Sequence, residues 1–156
     1  HGLVGRDEVA VFGINSRFDT LQAVIGNRLI RKIGLINSRR IAHAAKYDKA
    51  FSGLGEFVSI PKRRPGVRHV YHLYIVRVKK RDELLAYLNG KGIEARVHYP
   101  VPVHLQPAAK GLGYKPGDFP VCEKDCRDII TLPSHQHLDA DQIDSVIREV
   151  RKFYLK

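Results

Sequence analysis

The sequence predicts an α/β fold in which a long linking helix is followed by a small α/β sandwich domain. Between residues 71 and 98, a strand pattern, a short helix pattern and a second strand pattern follow one another, as is typical of small α/β sandwiches. Ahead of this run, apolar side chains recur at helical spacing over about 30 residues. With 156 residues, 44% of them hydrophobic, the chain is long enough to bury a core.

The first third of the chain is predicted to form a loop and then an unusually long helix. Residues 1–15 are punctuated by glycines, which indicates a loop with a short extended piece. Ser16 or Asp19 can cap the following helix, which is either one element or two helices joined near Gly34. Such a length suggests an element that bridges domains or subunits. Its apolar positions are Phe18, Leu21, Val24, Ile25, Leu29, Ile33, Ile36, Ile41, Ala44 and Tyr47.

The middle of the chain carries the β-α-β pattern. A turn-rich connection contains one short strand near Phe57–Ile60. Residues 71–78, rich in β-branched and aromatic side chains, predict a strand, and residues 81–92 predict a short helix that stops at one of its glycines. Residues 93–98 are then expected to return as a strand.

The segment VHYPVPVHLQP, residues 97–107, combines three prolines with His98, Tyr99 and His104. Because proline has no N–H for a sheet ladder and blocks helix interiors, we expect a stiff, extended loop. The aromatic and imidazole side chains either pack against the prolines or form part of a ligand site, and their residue types alone leave both alternatives open.

The C-terminal third is predicted to be turn, helix, strand and helix. The glycine-rich stretch 111–120 lacks the spacing of a dinucleotide fingerprint, so we expect turns there. Pro120 suits the first turn of a helix, and residues 131–133 predict a short strand. In the final helix Asp139 is the expected cap and Gln142 completes a capping box. Its apolar stripe is Ile143, Val146, Ile147, Val150 and Tyr154.

Cysteine usage and hydropathy favour a cytoplasmic protein. Cys122 and Cys126 are the only cysteines, and a disulfide one helical turn apart would be strained. We therefore expect buried or half-buried thiols, as in a reducing compartment. No apolar run approaches the roughly 20 residues that a membrane span requires, and no signal peptide is visible.

A net charge of +11 raises nucleic acids or phosphorylated ligands as partners. A standalone basic α/β module that binds RNA or DNA is therefore the alternative function. The basic residues are spread along the chain, however, and aromatic residues are not interleaved with them as in single-strand-binding proteins. Solvated faces are the better interpretation, and nucleic acid is not the expected partner.

Residue chemistry alone identifies one candidate anion site. The histidines lack cysteine or acidic partners at metal-ligand spacing, and no G-x-S-x-G nucleophile elbow is present, so no metal site and no catalytic residue are assigned. Asn15 lies just before the long helix, where backbone N–H groups favour anions, and Arg17 adds a permanent charge. Ordinary capping by Ser16 or Asn15 is the alternative.

Several segments together resemble one protein family. They are GINSRFDTLQAVIGNRL, YHLYIVRV, RDELLAYLNGKGIEARVHYPVPVHLQP, LGYKPGDFPVCEKDCRDIITLP and DADQIDSVIREVRKFY, in family order. They resemble the DegT/StrS family of sugar-nucleotide aminotransferases, which are pyridoxal 5′-phosphate (PLP) enzymes of aminotransferase fold type I. The resemblance covers essentially the whole chain. Ile14 replaces a usual aromatic residue and Ala108–Ala109 a common Ala-Tyr, which concerns pocket shape rather than class.

The resemblance implies a function and site residues. Family members transfer an amino group, usually from glutamate or glutamine, to a keto group of a nucleotide-linked sugar, and they are homodimers with shared active sites. By this resemblance Asn15 reaches the PLP phosphate of the partner subunit, and Arg17 has an anion or interface role. His98 and Tyr99 match the H-Y-P-x-P-x-H loop near the bound sugar nucleotide.

The resemblance also implies that the chain is the C-terminal part of a longer aminotransferase. The family's Schiff-base lysine and the aspartate that pairs with the pyridine nitrogen lie in a large domain upstream, and no lysine here matches that motif. The chain has no methionine and starts with His1, which favours a piece of a longer protein. We expect an interface loop and linking helix at residues 1–50, a small α/β domain at residues 51–156, and no activity from this part alone.

Overall fold

The computed structural model describes residues 2–14 and 18–155 of the chain. These residues form five α-helices and a three-stranded sheet, with three short 3-10 turns between them. In chain order the elements are α1 (Thr20–Ile30), α2 (Ile33–Phe51), β1 (Val58–Ser59), β2 (Tyr74–Val78), α3 (Arg81–Gly90), α4 (Pro120–Asp128), β3 (Ile129–Leu132) and α5 (Ala140–Tyr154).

The sheet is antiparallel, with β2 between β1 and β3. Val58 pairs with Val78, and Tyr74 pairs with Leu132 at the other edge of β2. Alternate residues of β2 are fully buried, as a strand with one face on a core requires. The predicted strands near 57–60, within 71–78 and at 131–133 are confirmed, although β2 starts at Tyr74 and β3 already starts at Ile129.

The expected strand at residues 93–98 is wrong. Among the described residues this segment makes a single antiparallel bridge, between Arg96 and Thr131, and no ladder. Its backbone groups bond locally instead, because the N–H of Ala95 donates to the carbonyl oxygen of Ile93 at 2.8 Å and to Asn89 Oδ1 at 3.2 Å. Donors engaged in a local turn are not available to a neighbouring strand.

The hydrophobic core lies between one face of the sheet and three helices. Helices α2, α3 and α5 contribute large buried side chains to it, which include Tyr47, Phe51, Leu84, Leu88, Ile143 and Val150. Arg77 alternates out of this core toward α4, where its Nε and Nη2 donate to the two carboxylate oxygens of Asp125 at 2.5 and 2.9 Å. This bidentate pair joins α4 to the sheet.

The long helical pattern forms two helices rather than one. They meet at Arg31 and Lys32, before the expected junction, while Gly34 lies inside α2. Of the two caps that the sequence allowed, Ser16 and Asp19, it is Asp19 that caps α1, since its carboxylate accepts from the N–H of Gln22 at 2.8 Å in a capping box. Helix α1 has no buried residue, whereas the C-terminal half of α2 enters the core. The division of the chain at residue 50 stays a proposal.

The C-terminal predictions are confirmed for the most part. Helix α4 begins at Pro120, and α5 begins with the predicted capping box of Asp139 and Gln142. The proline-rich segment is extended only in part, because 3-10 turns form at Val103–Leu105 and Pro107–Leu112. Proline tolerates this because it opens a helical turn without loss of a hydrogen bond.

The two cysteines of α4 are free thiols of different exposure. Cys126 is buried, as expected, and burial raises the pKa of its thiol. Cys122 is exposed, so the expectation of burial is wrong for that residue. The side chain at position 122 lies on the outer side of the short helix, one turn before Cys126.

Candidate functional site

His98 is anchored at the edge of the sheet. Its Nδ1 lies 2.9 Å from Oγ1 of Thr131 in β3, and its side chain is half-buried. Burial is the main reason that the pKa of His98 lies below its ordinary value, and the charges of Arg6 and His72 lower it further while Asp7 opposes them. The imidazole is therefore mostly neutral near pH 7 and is held in place by one of its two nitrogens.

Tyr99 presents its ring to the surface beside His98. The two rings meet edge to face, with centroids 5.5 Å apart, and Tyr99 is 62% exposed. An aromatic ring that is largely exposed and adjoins a fixed imidazole offers an apolar face and a hydroxyl to a ligand. The predicted pair His98 and Tyr99 is therefore accessible, whereas packing against the prolines would have buried Tyr99.

A basic cleft opens on one side of His98. It is a cavity of about 450 Å³ between the end of β3, the start of α5 and the loop that follows α3. Three permanent cations line it, Arg40, Lys91 and Arg96, against one carboxylate, Glu94, which is ion-paired with Arg96. The other lining residues that matter here are His72, His98, Thr131, Ser134 and His135.

Arg40 keeps its charge within this cleft. Its Nη1 donates to the backbone carbonyls of Tyr71 and His72 at 3.0 and 2.9 Å, and its Nε donates to Oε1 of Gln136 at 3.2 Å. Within the described part of the chain none of these acceptors is a carboxylate. The uncharged acceptors hold the guanidinium rigidly without neutralising it, which favours attraction of an anion into the cleft.

An apolar cleft opens on the other side of His98. This cavity of about 680 Å³ lies between the loop from Tyr99 to Val103 and the start of α4. Its walls are mainly hydrophobic and include Val101, Phe119 and Val121. His98 thus lies at the wall between a cationic and an apolar cavity, an arrangement that suits a ligand with one charged and one less polar part.

A buried carboxylate holds the rim of the apolar cleft. Oε1 of Glu123 accepts from the N–H of Gly117 at 2.7 Å and from the N–H of Phe119 at 3.3 Å, and it lies 3.1 Å from Nε2 of His104. The N–H of Gly117 is the main reason that the pKa of Glu123 is lowered, and His104 and the N–H of Phe119 lower it further although desolvation opposes them. Glu123 thus holds the end of the turn at 113–119, and Asp118 closes the same turn by accepting from the N–H of Lys115 at 2.8 Å.

The structure describes only part of the set of residues that the sequence predicts. Asn15 and Arg17 lie outside the described residues, so their roles stay proposals. Sequence reasoning missed Thr131, Arg40 and Glu123, and the first two meet their partners only through the tertiary fold. For Glu123 the proximity to the turn that it closes was an available signal, since the N–H groups that it accepts from are four and six residues away.

Residues 2–14 and 18–155 contain neither a cluster of metal ligands nor a helix that could span a membrane. No group of three or more histidine, cysteine, aspartate or glutamate side chains is placed to hold a metal ion. In the same residues no helix has the length and hydropathy that are needed to cross a membrane.

The described fold is similar to solved structures of the aminotransferase class. Residues 1–151 match the DegT/DnrJ/EryC1/StrS aminotransferase family, and the chain belongs to this family. The resemblance inferred from the sequence is thereby confirmed.

Curated relatives support the assignment. The chain is 39% identical over 145 residues to the "pleiotropic regulatory protein" of Geobacillus stearothermophilus, with 92% of this chain and 39% of the relative covered. It is 38% identical over 141 residues to dTDP-3-amino-3,4,6-trideoxy-alpha-D-glucose transaminase of Streptomyces venezuelae, with 90% and 37% covered.

Solved structures confirm the predicted fold class. S. venezuelae DesV in complex with a ketimine intermediate aligns with a TM-score of 0.83 and 36% identity over 97% of this chain and 41% of that chain. A family aminotransferase from Brucella abortus aligns with a TM-score of 0.79 and 30% identity over 99% and 41%. The chain thus spans about two fifths of the length of the proteins that it matches.

The lowered pKa of Glu123 leads to a pH-dependent stability. A carboxylate whose pKa is depressed by folding stabilises the fold above its ordinary pKa, and this stabilisation is lost as the pH falls through the depressed value. We expect Glu123→Gln to lower the free energy of unfolding at pH 7. The difference from the unmutated protein should shrink below about pH 4.5, the ordinary pKa. Urea unfolding at several pH values measures this difference, and a difference that is constant with pH would contradict the role.

Proposed function

We propose that this chain is the C-terminal part of a PLP-dependent aminotransferase that transfers an amino group from glutamate or glutamine to the keto group of a nucleotide-linked sugar. The family match over residues 1–151 carries the proposal. Two relatives are named as enzymes of this kind, the dTDP-sugar transaminase of S. venezuelae and a UDP-2-acetamido-2-deoxy-3-oxo-D-glucuronate aminotransferase of Pseudomonas aeruginosa.

The clefts beside His98 suit a nucleotide-linked sugar. A nucleoside diphosphate carries negative charge on one part and apolar faces on base and sugar. The basic cleft with Arg40 and Lys91 would attract the charged part, and the apolar cleft beside Tyr99 would receive a flat or less polar part. His98, neutral and held by Thr131, would orient a hydroxyl or phosphate oxygen between them.

PLP supplies the electron sink for amino transfer when it is bound as a Schiff base to a lysine. The described cleft residues do not fit that reactive end. Lys91 is exposed and holds its ammonium 5.7 Å from the ring centroid of Tyr87, and Glu94 is paired with Arg96. We therefore assign the lysine, and the acid that faces the pyridine nitrogen, to a part of the whole protein outside this chain, and we expect this chain alone to be inactive.

Asn15 and Arg17 are proposed as contacts to the cofactor by resemblance. Both precede the capped start of α1 at Asp19. A side-chain amide donates well to a phosphate oxygen, and a guanidinium can bind phosphate at two points. In a homodimer with shared active sites, Asn15 would reach the PLP phosphate of the partner subunit, while Arg17 would bind an anion or stabilise the interface.

The exposed face of α1 supports a homodimer. Soluble monomers rarely expose large contiguous apolar patches, and burial of such a patch contributes about 25 cal/mol per Å². At least half of the side-chain surface is exposed at Phe18, Leu21, Val24, Ile25 and Ile30. We propose that the partner subunit and the rest of the polypeptide cover this face. The nucleic-acid alternative, by contrast, depends on net charge alone, and we do not propose it.

The two free thiols support a location in the reducing cytoplasm. Cys122, which is exposed, would remain reduced there. We propose this location for the whole protein. Its proposed substrates, which are small soluble molecules, are consistent with it.

PLP binding by the full-length parent is the first test of this function. We expect the purified parent to show the visible absorbance of lysine-bound PLP and to lose that absorbance on reduction with borohydride. Mass spectrometry of the reduced protein should then place the cofactor on a lysine that precedes His1. A parent that shows no such absorbance after incubation with PLP would contradict the function, and cofactor on a lysine of residues 1–156 would contradict the assignment of the lysine.

Asn15→Ala in the full-length parent should weaken retention of PLP. A hydrogen bond to a charged group contributes roughly 1.5–3 kcal/mol, so the dissociation constant should rise about 10- to 100-fold. Fluorescence titration of the apoenzyme with PLP measures this constant. Asn27→Ala, which removes an exposed amide of α1, is the matched control and should leave it unchanged. Equal constants for the two variants would refute the role of Asn15.

His98→Gln in the full-length parent should impair binding of the sugar nucleotide but not of PLP. Loss of one positioned imidazole should raise KM for the sugar nucleotide about tenfold, since roughly 1.4 kcal/mol of binding is lost. Steady-state kinetics with the keto sugar nucleotide measures this change. Tyr154→Phe removes a hydrogen bond to the carbonyl oxygen of Lys79, outside both clefts, and serves as the control. An unchanged KM for His98→Gln would remove His98 from the substrate site.

A further inference from the structure

The N-terminal residues form a small hairpin. Leu3 and Val9 make an antiparallel bridge, and the N–H of Val4 donates to the carbonyl oxygen of Glu8 at 3.1 Å. The hairpin closes at Gly2, whose carbonyl oxygen accepts from the N–H of Ala10 at 2.9 Å. Gly2 has a φ of +69°, and a Cβ there would lie 1.8 Å from a backbone oxygen, so glycine is required. We call residues 2–11 the N-terminal hairpin.

Gln106 fastens this hairpin to the proline-rich segment. Its Oε1 accepts from the N–H of Val9 at 2.9 Å, and its Nε2 donates to the carbonyl oxygen of Asp7 at 2.9 Å. The N–H of Ala108 adds a third bond to the carbonyl oxygen of Val9 at 2.8 Å. These bonds join residues that lie 97 and 99 positions apart in the chain, so they fix the relation between two distant segments.

The amide is suited to this position because it carries a donor and an acceptor side by side. Gln106 thus pairs with both backbone groups of the hairpin in the way that a neighbouring strand would. The side chain is only 8% exposed, so water is largely excluded from the two bonds. An apolar residue at position 106 would leave a donor and an acceptor of the backbone without partners.

The fastened hairpin places two charges against the His98 loop. Arg6 and Asp7 line a cavity of about 480 Å³ together with Arg96, Val97 and Pro100. Among the groups that act on the imidazole of His98, Arg6 lowers its pKa and Asp7 raises it. The environment of His98 therefore depends on the position of a hairpin that Gln106 holds from the far end of the same loop.

We propose that Gln106 is a positioning residue of the active site, which fixes the N-terminal hairpin against the loop of His98 and Tyr99 so that both keep one geometry toward the substrate. This inference rests on the proposed function, because His98 and Tyr99 are assigned to the substrate side there. Gln106 itself touches neither substrate nor cofactor and acts through the hairpin and the loop.

The test is Gln106→Leu in the full-length parent, with Tyr154→Phe as the matched control. The control removes a different long-range hydrogen bond, from the hydroxyl of Tyr154 to the carbonyl oxygen of Lys79 at 2.5 Å, and Tyr154 lines neither cleft. For Gln106→Leu we expect kcat/KM for the sugar nucleotide to fall about tenfold, because two hydrogen bonds that position the hairpin are lost. The control should leave kcat/KM unchanged.

NMR titration of ¹³C-labelled histidine supplies a readout that a general loss of stability would not move. In Gln106→Leu the pKa of His98 should rise, because its two largest influences, burial and the charge of Arg6, both lower it and both weaken when the hairpin is released. Asp7 lies on the same hairpin, so its weaker, opposing influence is lost as well. The other charged or titratable groups that share a cavity with His98 remain in place. They are His72, Arg40, Lys91, Glu94, Arg96 and His135 in the basic cleft and Tyr99, Asp118, Cys122, Asp125 and Cys126 in the apolar cleft. His98→Gln assigns the resonance.

Gln106→Glu keeps the acceptor for the N–H of Val9 and replaces the donor to Asp7 by a carboxylate oxygen. It should give an effect between those of the unmutated parent and Gln106→Leu, and it tests the proposal if the leucine variant does not fold. A pKa of His98 and a kcat/KM that match those of the control in both variants would overturn the proposal.

Failure of the proposed function can be distinguished from failure of the positioning role of Gln106. If the unmutated parent neither binds PLP nor transaminates, the function is wrong, whereas the NMR titration still reports whether Gln106 holds the hairpin at His98. If the parent is active and only the Gln106 variants behave like the control, the function stands and the positioning role is wrong.

Discussion

Thr131 connects the candidate site to the fold through three of its atoms. Its N–H donates to the carbonyl oxygen of Arg96 at 2.8 Å, and its carbonyl oxygen accepts from the N–H of Arg96 at 3.1 Å. Its hydroxyl holds Nδ1 of His98 at 2.9 Å. On the opposite edge Thr131 is paired with Ile75 of β2, so a buried strand position fixes both the loop that leads to His98 and the imidazole itself. The shape of the clefts on both sides of His98 depends on these contacts of Thr131.

Basic residues are spread along the sequence, but the kind of partner that each one contacts differs from place to place in the fold. Many basic residues are balanced by acids, as in the pairs of Arg77 with Asp125 and of Lys46 with Asp144. At the basic cleft, by contrast, uncharged acceptors hold Arg40. A charge that is hydrogen-bonded but not neutralised keeps its field, and a cleft with low-dielectric walls focuses that field. Arg40 is thus one of the cations behind the net charge of +11 that no acid among its hydrogen-bond partners offsets.

Features that depend on neighbours in sequence could be predicted, and features that depend on distant partners could not. The capping box of Asp139 and Gln142, the cap at Asp19 as one of two candidates, and the strand at β2 follow from local patterns, and the structure contains all of them. The segment 93–98 looked like a strand, but local hydrogen bonds through Asn89 prevail over its β-branched composition. His98 and Tyr99 were found through their resemblance to a family motif.

The contacts of Gln106 illustrate what sequence patterns do not show. Nothing in the string HLQP indicates that its amide bonds the backbone of residues 7 and 9, because backbone groups have no residue type to recognise. The same holds for Arg40, whose acceptors are mostly carbonyl oxygens of residues 71 and 72. Side chains that bind distant backbone define how segments meet, and only the three-dimensional structure reveals them.

Helix α2 is exposed at its start and buried at its end. It therefore connects the hydrophobic core to an uncovered apolar surface. Its first turns expose Ile33 and Leu35, while Tyr47 and Phe51 near its end are fully buried. The hydroxyl of Tyr47 also donates to the carbonyl oxygen of Pro133, at 2.7 Å, just beyond β3. Because a continuous helix is stiff over its 19 residues, whatever covers the exposed end is mechanically tied to the strand that carries Thr131. The exposed start of α2 and the segment that follows β3 are thus linked through one rigid helix rather than through a flexible connection.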